Sequence, residues 1–456
     1  MRSILVSLLT ALTFSAMSQP YQPNWASLDN RPVPEWYQDA KFGIFIHWGV
    51  YSVPSYAPKD VSLYARYAEW YWKRLVDSTA EGHAQFVAYH NRVWGEDFKY
   101  PDFVQHFKAE LFEPTDWATL FKKAGARYVV LTSKHHDGFA LWPSAQSWNW
   151  NAVDVGPHRD LAGDLMQAVR AEGLRMGYYY SLYEWFNPLY QQNPDRYVEE
   201  HMLPQLNDLV TRYKPDLVWT DGEWDLPSER WHSPEWLAWL YNESPVKRDV
   251  VVNDRWGKET RSKHGGFYTT EYGLVHNDEQ SGQMARPWEE CRGIGHSFGY
   301  SRAEEVSDYQ SSKDLIHLLV GLVGRGGNLL LNIGPTADGR IPVIMQQRLL
   351  DMGTWLEANG EAIYGTRMWT GSAANEQEGV FFTQKGADLY VLCTQYPATL
   401  RLKGVAGGKV RLLGREAAVK TKQSGGQLTI TPPAILPLGD ARDYAFVFKI
   451  EGGAGR

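Results

Sequence analysis

The sequence is poor in cysteine and in basic charge, and each shortage excludes a class of protein. Only Cys291 and Cys393 occur in 456 residues, too few for a disulfide scaffold, and no CxxC or CxxxH spacing indicates a zinc site. We interpret both as buried free thiols. Asp and Glu outnumber Lys and Arg by 53 to 46, which argues against a nucleic-acid partner, since such a protein carries a basic face.

Long apolar stretches are missing too, and one short stretch stands at the start of the chain. Arg2 is followed by an apolar run over residues 4–14 and then by Ala16-Met17-Ser18, an order that is typical of a secretory signal. The run is too short to span a bilayer, and we expect no membrane insertion elsewhere. We therefore expect residues 1–18 to be removed and the rest to be exported. The destination would be the periplasm or the medium in a bacterium, and the lysosome or the exterior in a eukaryote.

Eight short apolar or aromatic runs predict a parallel sheet. Their interiors are continuously apolar, as in residues 128–131 and 329–331, which is typical of strands that are buried on both faces. The runs cover residues 42–47, 127–133, 174–181, 216–221, 250–254, 266–271, 294–300 and 328–333. Amphipathic patterns predict helices over residues 115–124, 160–172, 314–323 and 343–358.

Alternating strands and helices of this kind indicate an α/β fold, a (β/α)8-like barrel. We expect the barrel to be irregular for two reasons. Residues 255–265 show no helical pattern, and Pro204 should start, kink or split the helix that contains it.

The pattern changes after residue 365. Short runs at 379–383, 388–393, 409–413, 427–430 and 445–450 alternate with glycine-containing and charged turns. This pattern predicts a small antiparallel all-β sandwich. We therefore expect a signal over residues 1–18, a barrel domain over 19–365 and a β-sandwich domain over 366–456.

Polar residues are concentrated where the predicted barrel strands end. His47 ends the first strand, His135 and His136 follow the second, and Asp221 and Glu271 end the fourth and sixth. Active sites of such barrels lie at the carboxyl ends of the strands, so these side chains should converge on one rim. Adjacent residues of an extended strand point to opposite faces, so the two neighbouring histidines do not easily bind one metal ion.

Two carboxylates on one rim, together with many tryptophans, indicate glycoside hydrolysis. The chain has 20 Trp, many for a core because each indole N–H needs a partner, whereas flat rings in a wet cleft suit the apolar faces of sugars. In a retaining glycosidase one carboxylate attacks the anomeric carbon and the other, about 5–5.5 Å away, acts as acid and then as base. The pattern alone offers several alternatives to Glu271 for the second carboxylate: Glu69, Glu223, Glu289 and Glu290.

Five motifs follow one another along the predicted barrel. They are KFGIFIHWG at 41–49, YAEWY at 67–71, KHHDGF at 134–139, NDRWG at 253–257 and GGNLLLNIGP at 326–335. In this order they resemble the α-L-fucosidases of glycoside hydrolase family 29, and the resemblance extends over about residues 25–364. The family is known for a (β/α)8-like catalytic barrel with a C-terminal β-sandwich, for retention of configuration, and for the absence of metal and organic cofactors.

The resemblance implies an exo-acting enzyme that releases terminal fucose from a fucosylated glycan or oligosaccharide through a covalent intermediate. It implies that Asp221, in VWTD at 218–221, is the nucleophile and that Glu271, in YTTEY at 268–272, is the acid/base. Residues implied to contact the sugar or the nucleophile are His47, Glu69, Trp70, His135, His136, Tyr179, Trp219 and Arg255. The alternatives are a related exo-glycosidase for another sugar, such as galactose, and a glycan-binding protein without turnover. Linkage preference and oligomeric state are not predicted.

Overall fold

The computed structural model of the protein describes residues 20–273, 286–371 and 377–455, so the predicted signal over residues 1–18 lies outside the described residues. Eight parallel strands form one curled sheet in the order β5-β4-β3-β2-β1-β8-β7-β6. Their bounds are β1 Phe42–Ile46, β2 Tyr128–Lys134, β3 Arg175–Ser181, β4 Leu217–Asp221, β5 Val251–Val252, β6 Tyr268–Glu271, β7 Trp288–Gly293 and β8 Gly327–Ile333.

The sheet curls until its two outer strands approach each other, which confirms the predicted irregular barrel. Between β5 and β6 the backbone N–H of Phe267 donates to the carbonyl of Val252 at 3.1 Å, and the N–H of Gly266 donates to that of Asn253 at 3.3 Å. The connection over residues 255–265 consists of turns and bends and contains no helix, as predicted. The side chains of the barrel strands are almost entirely buried, as expected for parallel strands covered on both faces.

The seventh strand was predicted in the wrong place. The sequence predicted this strand at residues 294–300, but β7 is Trp288–Gly293. The apolar Ile294 and Phe298 are buried in the irregular segment that follows β7. The reason is that β7 contains Glu289 and Glu290, two charged residues that ordinarily argue against a buried strand. Both are buried here because hydrogen-bond partners satisfy their carboxylates: Tyr37 and other residues inside the barrel for Glu289, and Arg292 of the same strand for Glu290.

Helices cover the outside of the sheet. The α-helices of the described residues are α1 Trp25–Leu28, α2 Glu35–Ala40, α3 Tyr71–Val76, α4 His83–Val93, α5 Pro114–Lys123, α6 Leu161–Ala171, α7 Pro188–Gln192, α8 Pro194–Tyr197, α9 Leu203–Tyr213, α10 Ser233–Asn242, α11 Ser312–Gly324 and α12 Val343–Asn359. Short 3-10 turns include Val50–Ser52, Leu63–Arg66, Ala68–Trp70 and Tyr100–His106. No helix of these described parts is long and apolar enough to cross a membrane.

The helix boundaries follow local chemistry. Asp160 caps α6 by accepting the backbone N–H of Gly163 at 2.9 Å, and Gly173, with φ of 72°, follows the end of the helix. Pro204 is the second residue of α9, where a missing N–H does no harm, and a π-turn over Val198–Met202 precedes it. The proline therefore starts a helical segment, one of the predicted outcomes.

The C-terminal part of the chain forms two antiparallel sheets, with strand orders β13-β16-β11-β10-β9 and β12-β15-β14. The strands are β9 Arg367–Met368, β10 Val380–Lys385, β11 Asp388–Cys393, β12 Leu400–Lys403, β13 Val410–Leu412, β14 Lys420–Ser424, β15 Gln427–Thr431 and β16 Phe446–Ile450. Buried side chains of both sheets, such as Val391, Leu402 and Ile430, share one core. This confirms the predicted all-β sandwich, and all five predicted runs contain strands. Cys291 and Cys393 are buried free thiols, as predicted.

Helix α12 packs against the end of α5 at Gly353. A Cβ added there would lie 1.9 Å from the backbone carbonyl oxygen of Lys123, which has little freedom to move aside. We expect Gly353→Ala to destabilise the protein by about 1–3 kcal/mol despite the better helix propensity of alanine. Calorimetry should show a lower Tm for Gly353→Ala and little change for Glu357→Ala, an exposed control on the same helix. An unchanged Tm for Gly353→Ala would contradict this packing.

Candidate active site

A pocket of about 350 Å³ opens at the carboxyl ends of the barrel strands. It brings together the two predicted catalytic residues and the eight predicted to contact the sugar or the nucleophile: Asp221, Glu271, His47, Glu69, Trp70, His135, His136, Tyr179, Trp219 and Arg255. The other lining residues are Phe45, Tyr64, Tyr67, Arg74, Trp224, Arg261, Cys291 and Phe298. Tyr67 could have been found from its place in the YAEWY motif beside Glu69. Arg261 could not, because it lies in the segment without a helical or strand pattern.

Asp221 ends β4 and is only 8% exposed. Nη1 of Arg255 donates to its Oδ1 at 2.7 Å, and the hydroxyl of Tyr179 donates to its Oδ2 at 3.0 Å. The guanidinium of Arg261 lies 3.7 Å from Oδ1. Burial by itself would raise the pKa of Asp221, but Arg255, with smaller contributions from His136 and Arg261, outweighs it and holds the pKa below its ordinary value. Asp221 is therefore an ionised carboxylate.

Glu271 ends β6 on another side of the same pocket. The hydroxyl of Tyr67 donates to its Oε1 at 2.9 Å, and Nη2 of Arg255 donates to its Oε2 at 3.3 Å. The Arg255 guanidinium thus joins Glu271 through one nitrogen and Asp221 through the other. A planar fork of this kind sets two carboxylates in a defined arrangement around one pocket.

The remaining glutamates differ in their access to the pocket. Glu69 lines it, whereas Glu223, Glu289 and Glu290 are not among its lining residues. Glu223 accepts from Nε of Arg261 at 2.5 Å, and Glu290 accepts from Arg292 at 2.7 Å. Glu289 accepts from Trp219 Nε1 at 3.0 Å and from two tyrosine hydroxyls. These contacts hold the three buried carboxylates away from the pocket, and Oε2 of Glu223 has no hydrogen-bond partner in the described residues.

Glu69 lies on the 3-10 turn Ala68–Trp70 and is 2% exposed. Its Oε2 accepts the backbone N–H of Gly299 at 2.8 Å and faces the Ser297 hydroxyl at 3.3 Å. Burial raises the pKa of Glu69 to about 7, and the nearby charge of Glu271 acts in the same direction. Glu69 can therefore either donate or accept a hydrogen bond near neutral pH.

Two histidines of the pocket are fixed in one tautomer by their neighbours. Nδ1 of His47 lies 2.7 Å from the side-chain oxygen of Asn332, whose amide nitrogen donates to a backbone carbonyl, so Nδ1 is the donor. Nδ1 of His136 lies 2.6 Å from Oγ of Ser181, which in turn donates to a backbone carbonyl. Burial lowers the pKa of His47 to about 3 and the pKa of His136 to about 4. Both rings are neutral, and each has Nε2 available to accept a hydrogen bond.

Aromatic rings form much of the remaining wall. Trp70 lies 5.2 Å from the ring of His136 and 5.9 Å from that of Trp224, which is 39% exposed. His135 stacks on Tyr179 at 5.6 Å, and its buried Nδ1 has no hydrogen-bond partner within residues 20–273, 286–371 and 377–455. Flat apolar surfaces beside free hydrogen-bonding groups are suited to a sugar ring.

Comparisons with known proteins show the family. The family model described as Alpha-L-fucosidase matches residues 8–361. The chain belongs to the α-L-fucosidases of glycoside hydrolase family 29. It is 42% identical to tissue α-L-fucosidase of Homo sapiens over 95% of this chain and 92% of that one. It is 44% identical to plasma α-L-fucosidase of Rattus norvegicus over 93% of this chain and 90% of that one. The crystal structure of Thermotoga maritima α-fucosidase in complex with fucose is 37% identical, with a TM-score of 0.78, and the match covers 94% and 100% of the two chains.

In this α-L-fucosidase, Glu289 lies inside the barrel beneath the pocket and contacts a residue of its wall. Its fully buried carboxylate accepts hydrogen bonds from the hydroxyls of Tyr37 and Tyr128 and from Nε1 of Trp219. Burial raises the pKa of Glu289 to about 7, although these three donors oppose the shift. Glu289 thus fixes the position and orientation of the Trp219 indole.

The Trp219 indole in turn supports both side chains that hold Asp221. It stacks on Tyr179 with 5.6 Å between ring centroids, and the guanidinium carbon of Arg255 lies 4.4 Å from the indole centroid. Glu289 therefore acts on Asp221 through Trp219, without contacting the pocket itself.

We expect Glu289→Leu to lower kcat on aryl α-L-fucosides about 100-fold with little change in KM, because three donors lose their acceptor and Trp219 shifts. Glu289→Gln keeps an oxygen for Trp219, so its loss should be much smaller. The measurement is kcat on a series of aryl α-L-fucosides with leaving groups of different acidity. The decrease in kcat should be the same across the series for each variant. A loss that grows with poorer leaving groups would instead make Glu289 an acid catalyst.

Proposed function

We propose that this α-L-fucosidase hydrolyses terminal α-L-fucosyl linkages of glycans by a retaining double displacement. The observation that carries the proposal is the single pocket in which Arg255 joins Asp221, which is ionised, to Glu271. Phe45 and Phe298 give the pocket apolar surface for the C6 methyl group of fucose, whereas galactose would present a hydroxymethyl group there. This feature favours fucose over the galactose alternative.

In the first step, the Asp221 carboxylate attacks the anomeric carbon and forms an ester bond to it. The glycosidic C–O bond breaks, and the leaving oxygen takes the proton of the Glu271 carboxyl group. The negative charge thereby moves from Asp221 to Glu271. Arg255 contacts both groups, so its guanidinium has a counter-charge before and after the step.

In the second step, the Glu271 carboxylate removes a proton from water. The water oxygen attacks the anomeric carbon from the face that the leaving group vacated, and the ester bond to Asp221 breaks. Two inversions release fucose with its original configuration.

The neutral histidines and Glu69 bind the sugar hydroxyls in this proposal. Nε2 of His47 and Nε2 of His136 each accept from a hydroxyl, and Trp70 packs on the apolar side of the ring. Hydrogen bonds of this kind strengthen as positive charge develops on the ring in the transition state.

The stereochemical course tests the mechanism. The enzyme is incubated with an aryl α-L-fucoside, and the anomers of the product are followed by proton NMR from the first minutes. We expect α-L-fucose to form first and then to equilibrate with the β anomer. Absence of release, or β-L-fucose as the first product, would contradict the proposal.

Replacing the proposed acid/base should separate substrates by their leaving groups. We expect Glu271→Ala to slow hydrolysis of natural glycans by about 10²–10⁴-fold, because their leaving oxygen needs a proton. On aryl fucosides with acidic phenols, the first step should be affected far less. Steady-state kinetics on both substrate classes is the measurement. An unchanged rate on glycans would transfer the role to Glu69, the other glutamate that lines the pocket in the described parts of the chain.

We also propose that residues 1–18 direct export, that residues 19–365 form the catalytic domain and that residues 366–456 form the β-sandwich domain. The charged and apolar pattern of the first segment supports export. Sequencing the N-terminus of protein recovered outside the cytoplasm tests it. A retained Met1 would contradict removal of the segment.

A further inference from the structure

A second cavity, of about 320 Å³, lies beside the fucose pocket on the loops that follow β2 and β3. The two cavities share a thin wall. His136 lines the fucose pocket, whereas the next residue, Asp137, lines the second cavity. In the same way, the ring of Trp185 lies 5.5 Å from that of His136, while its neighbours Glu184 and Phe186 face the second cavity. The segments at residues 136–137 and 184–186 therefore lie between the two cavities.

Aromatic side chains dominate one side of the second cavity. Trp150 and Phe186 line it with 5.8 Å between their ring centroids. Trp148 lines it too and is 76% exposed, an unusual degree of exposure for an indole. An exposed flat ring at the edge of an aromatic cavity is the arrangement that packs against the apolar face of a sugar.

The loop that carries Trp148 is held from within. Nε2 of Gln205 donates to Oγ of Ser144 at 2.7 Å and to Oγ of Ser147 at 2.8 Å. Nδ2 of Asn151 donates to the carbonyl of Ser147 at 3.1 Å. These buried contacts fix the loop on both sides of the indole, so Trp148 is presented to solvent by a braced backbone. Preorganisation of this kind reduces the entropy lost on binding.

The carboxylates of the second cavity already have partners within the protein. Glu184 pairs with the buried Lys134 and lies 3.2 Å from His201, and Asp137 accepts the hydroxyl of Tyr100 at 2.7 Å. By contrast, Oε1 of Gln146 is buried at the cavity and has no hydrogen-bond partner in the described part of the chain. The polar group that remains free in the cavity is therefore a neutral amide oxygen, which suits a hydroxyl group better than an ion.

We propose that this second cavity binds a neutral sugar unit of an oligosaccharide. Trp148 stacks on the apolar face of the ring, and Oε1 of Gln146 accepts from one of its hydroxyls. Because the two cavities are adjacent, an oligosaccharide bound in the second cavity lies close to the fucose pocket. The site does not depend on the roles proposed for Asp221 and Glu271.

The test uses the full-length wild-type protein and the neutral probes cellotetraose, chitotetraose and β-1,4-galactotetraose, with the fucose pocket saturated by L-fucose. Isothermal titration calorimetry should give saturable binding of at least one probe. Trp148→Ala and Gln146→Ala should each weaken that binding by about fivefold or more, and Trp148→Phe should recover most of it. Leu436→Ala, an exposed control on the C-terminal domain, should bind as the wild type does.

Hydrolysis of an aryl α-L-fucoside is measured on the same variants. It should stay within about twofold of wild type, because this small substrate does not reach the second cavity. The proposal is overturned if no probe binds saturably, if Trp148→Ala binds undiminished, or if Trp148→Ala also loses aryl-fucosidase activity while its Tm is unchanged. Wild-type binding without any fucoside turnover would contradict the proposed mechanism but would leave this site standing.

Discussion

A buried guanidinium between two carboxylates is the interaction around which the active end of the barrel is organised. Arg255 is 2% exposed, and a charge so buried is expensive unless it is paired and hydrogen-bonded on every side. Asp221 supplies the counter-charge, a carboxyl oxygen of Glu271 accepts from Nη2, and the hydroxyl of Thr269 accepts from Nε at 3.1 Å. The three partners lie on β4 and β6, with Arg255 in the irregular connection between β5 and β6. The near-closure of the sheet at this point is therefore also what assembles the site.

Deeper in the barrel, one buried side chain positions the next, up to Asp221. Glu289 fixes Trp219, and Trp219 carries both Arg255 and Tyr179, the two side chains that contact Asp221 most closely. Glu289 of β7, a charged residue in a part of the barrel that is otherwise apolar, thus positions side chains of the pocket. The surrounding histidines stay neutral, so in the proposed mechanism the charge that moves between Asp221 and Glu271 is balanced chiefly by one cation.

Most of the barrel, and the strand-end residues His47, Asp221 and Glu271, could be predicted because their signals are local. Other pocket residues, such as Glu69 and Arg255, were predicted only through the resemblance to the family. A strand such as β2 is buried on both faces and reads as a continuous apolar run, and the motifs around His47 and Asp221 stand at strand ends. The position of β7 could not be predicted in this way, because Glu289 is satisfied by partners that are distant in sequence. Strand β14 is fully exposed and polar, so it lacks the alternation that marks a half-buried strand. The role of Arg261 likewise depends on a fold that brings an irregular segment beside Asp221.

The central claim is that Asp221, held ionised by Arg255, forms the bond to the sugar. Incubation with 2-deoxy-2-fluoro-α-L-fucosyl fluoride tests it directly, since the fluorine at C2 slows both steps and the good leaving group lets the intermediate accumulate. Peptide mass spectrometry of the inactivated enzyme should place one fluorofucosyl group on Asp221. The label on Glu271 or Glu69, or inactivation without any covalent label, would contradict the account.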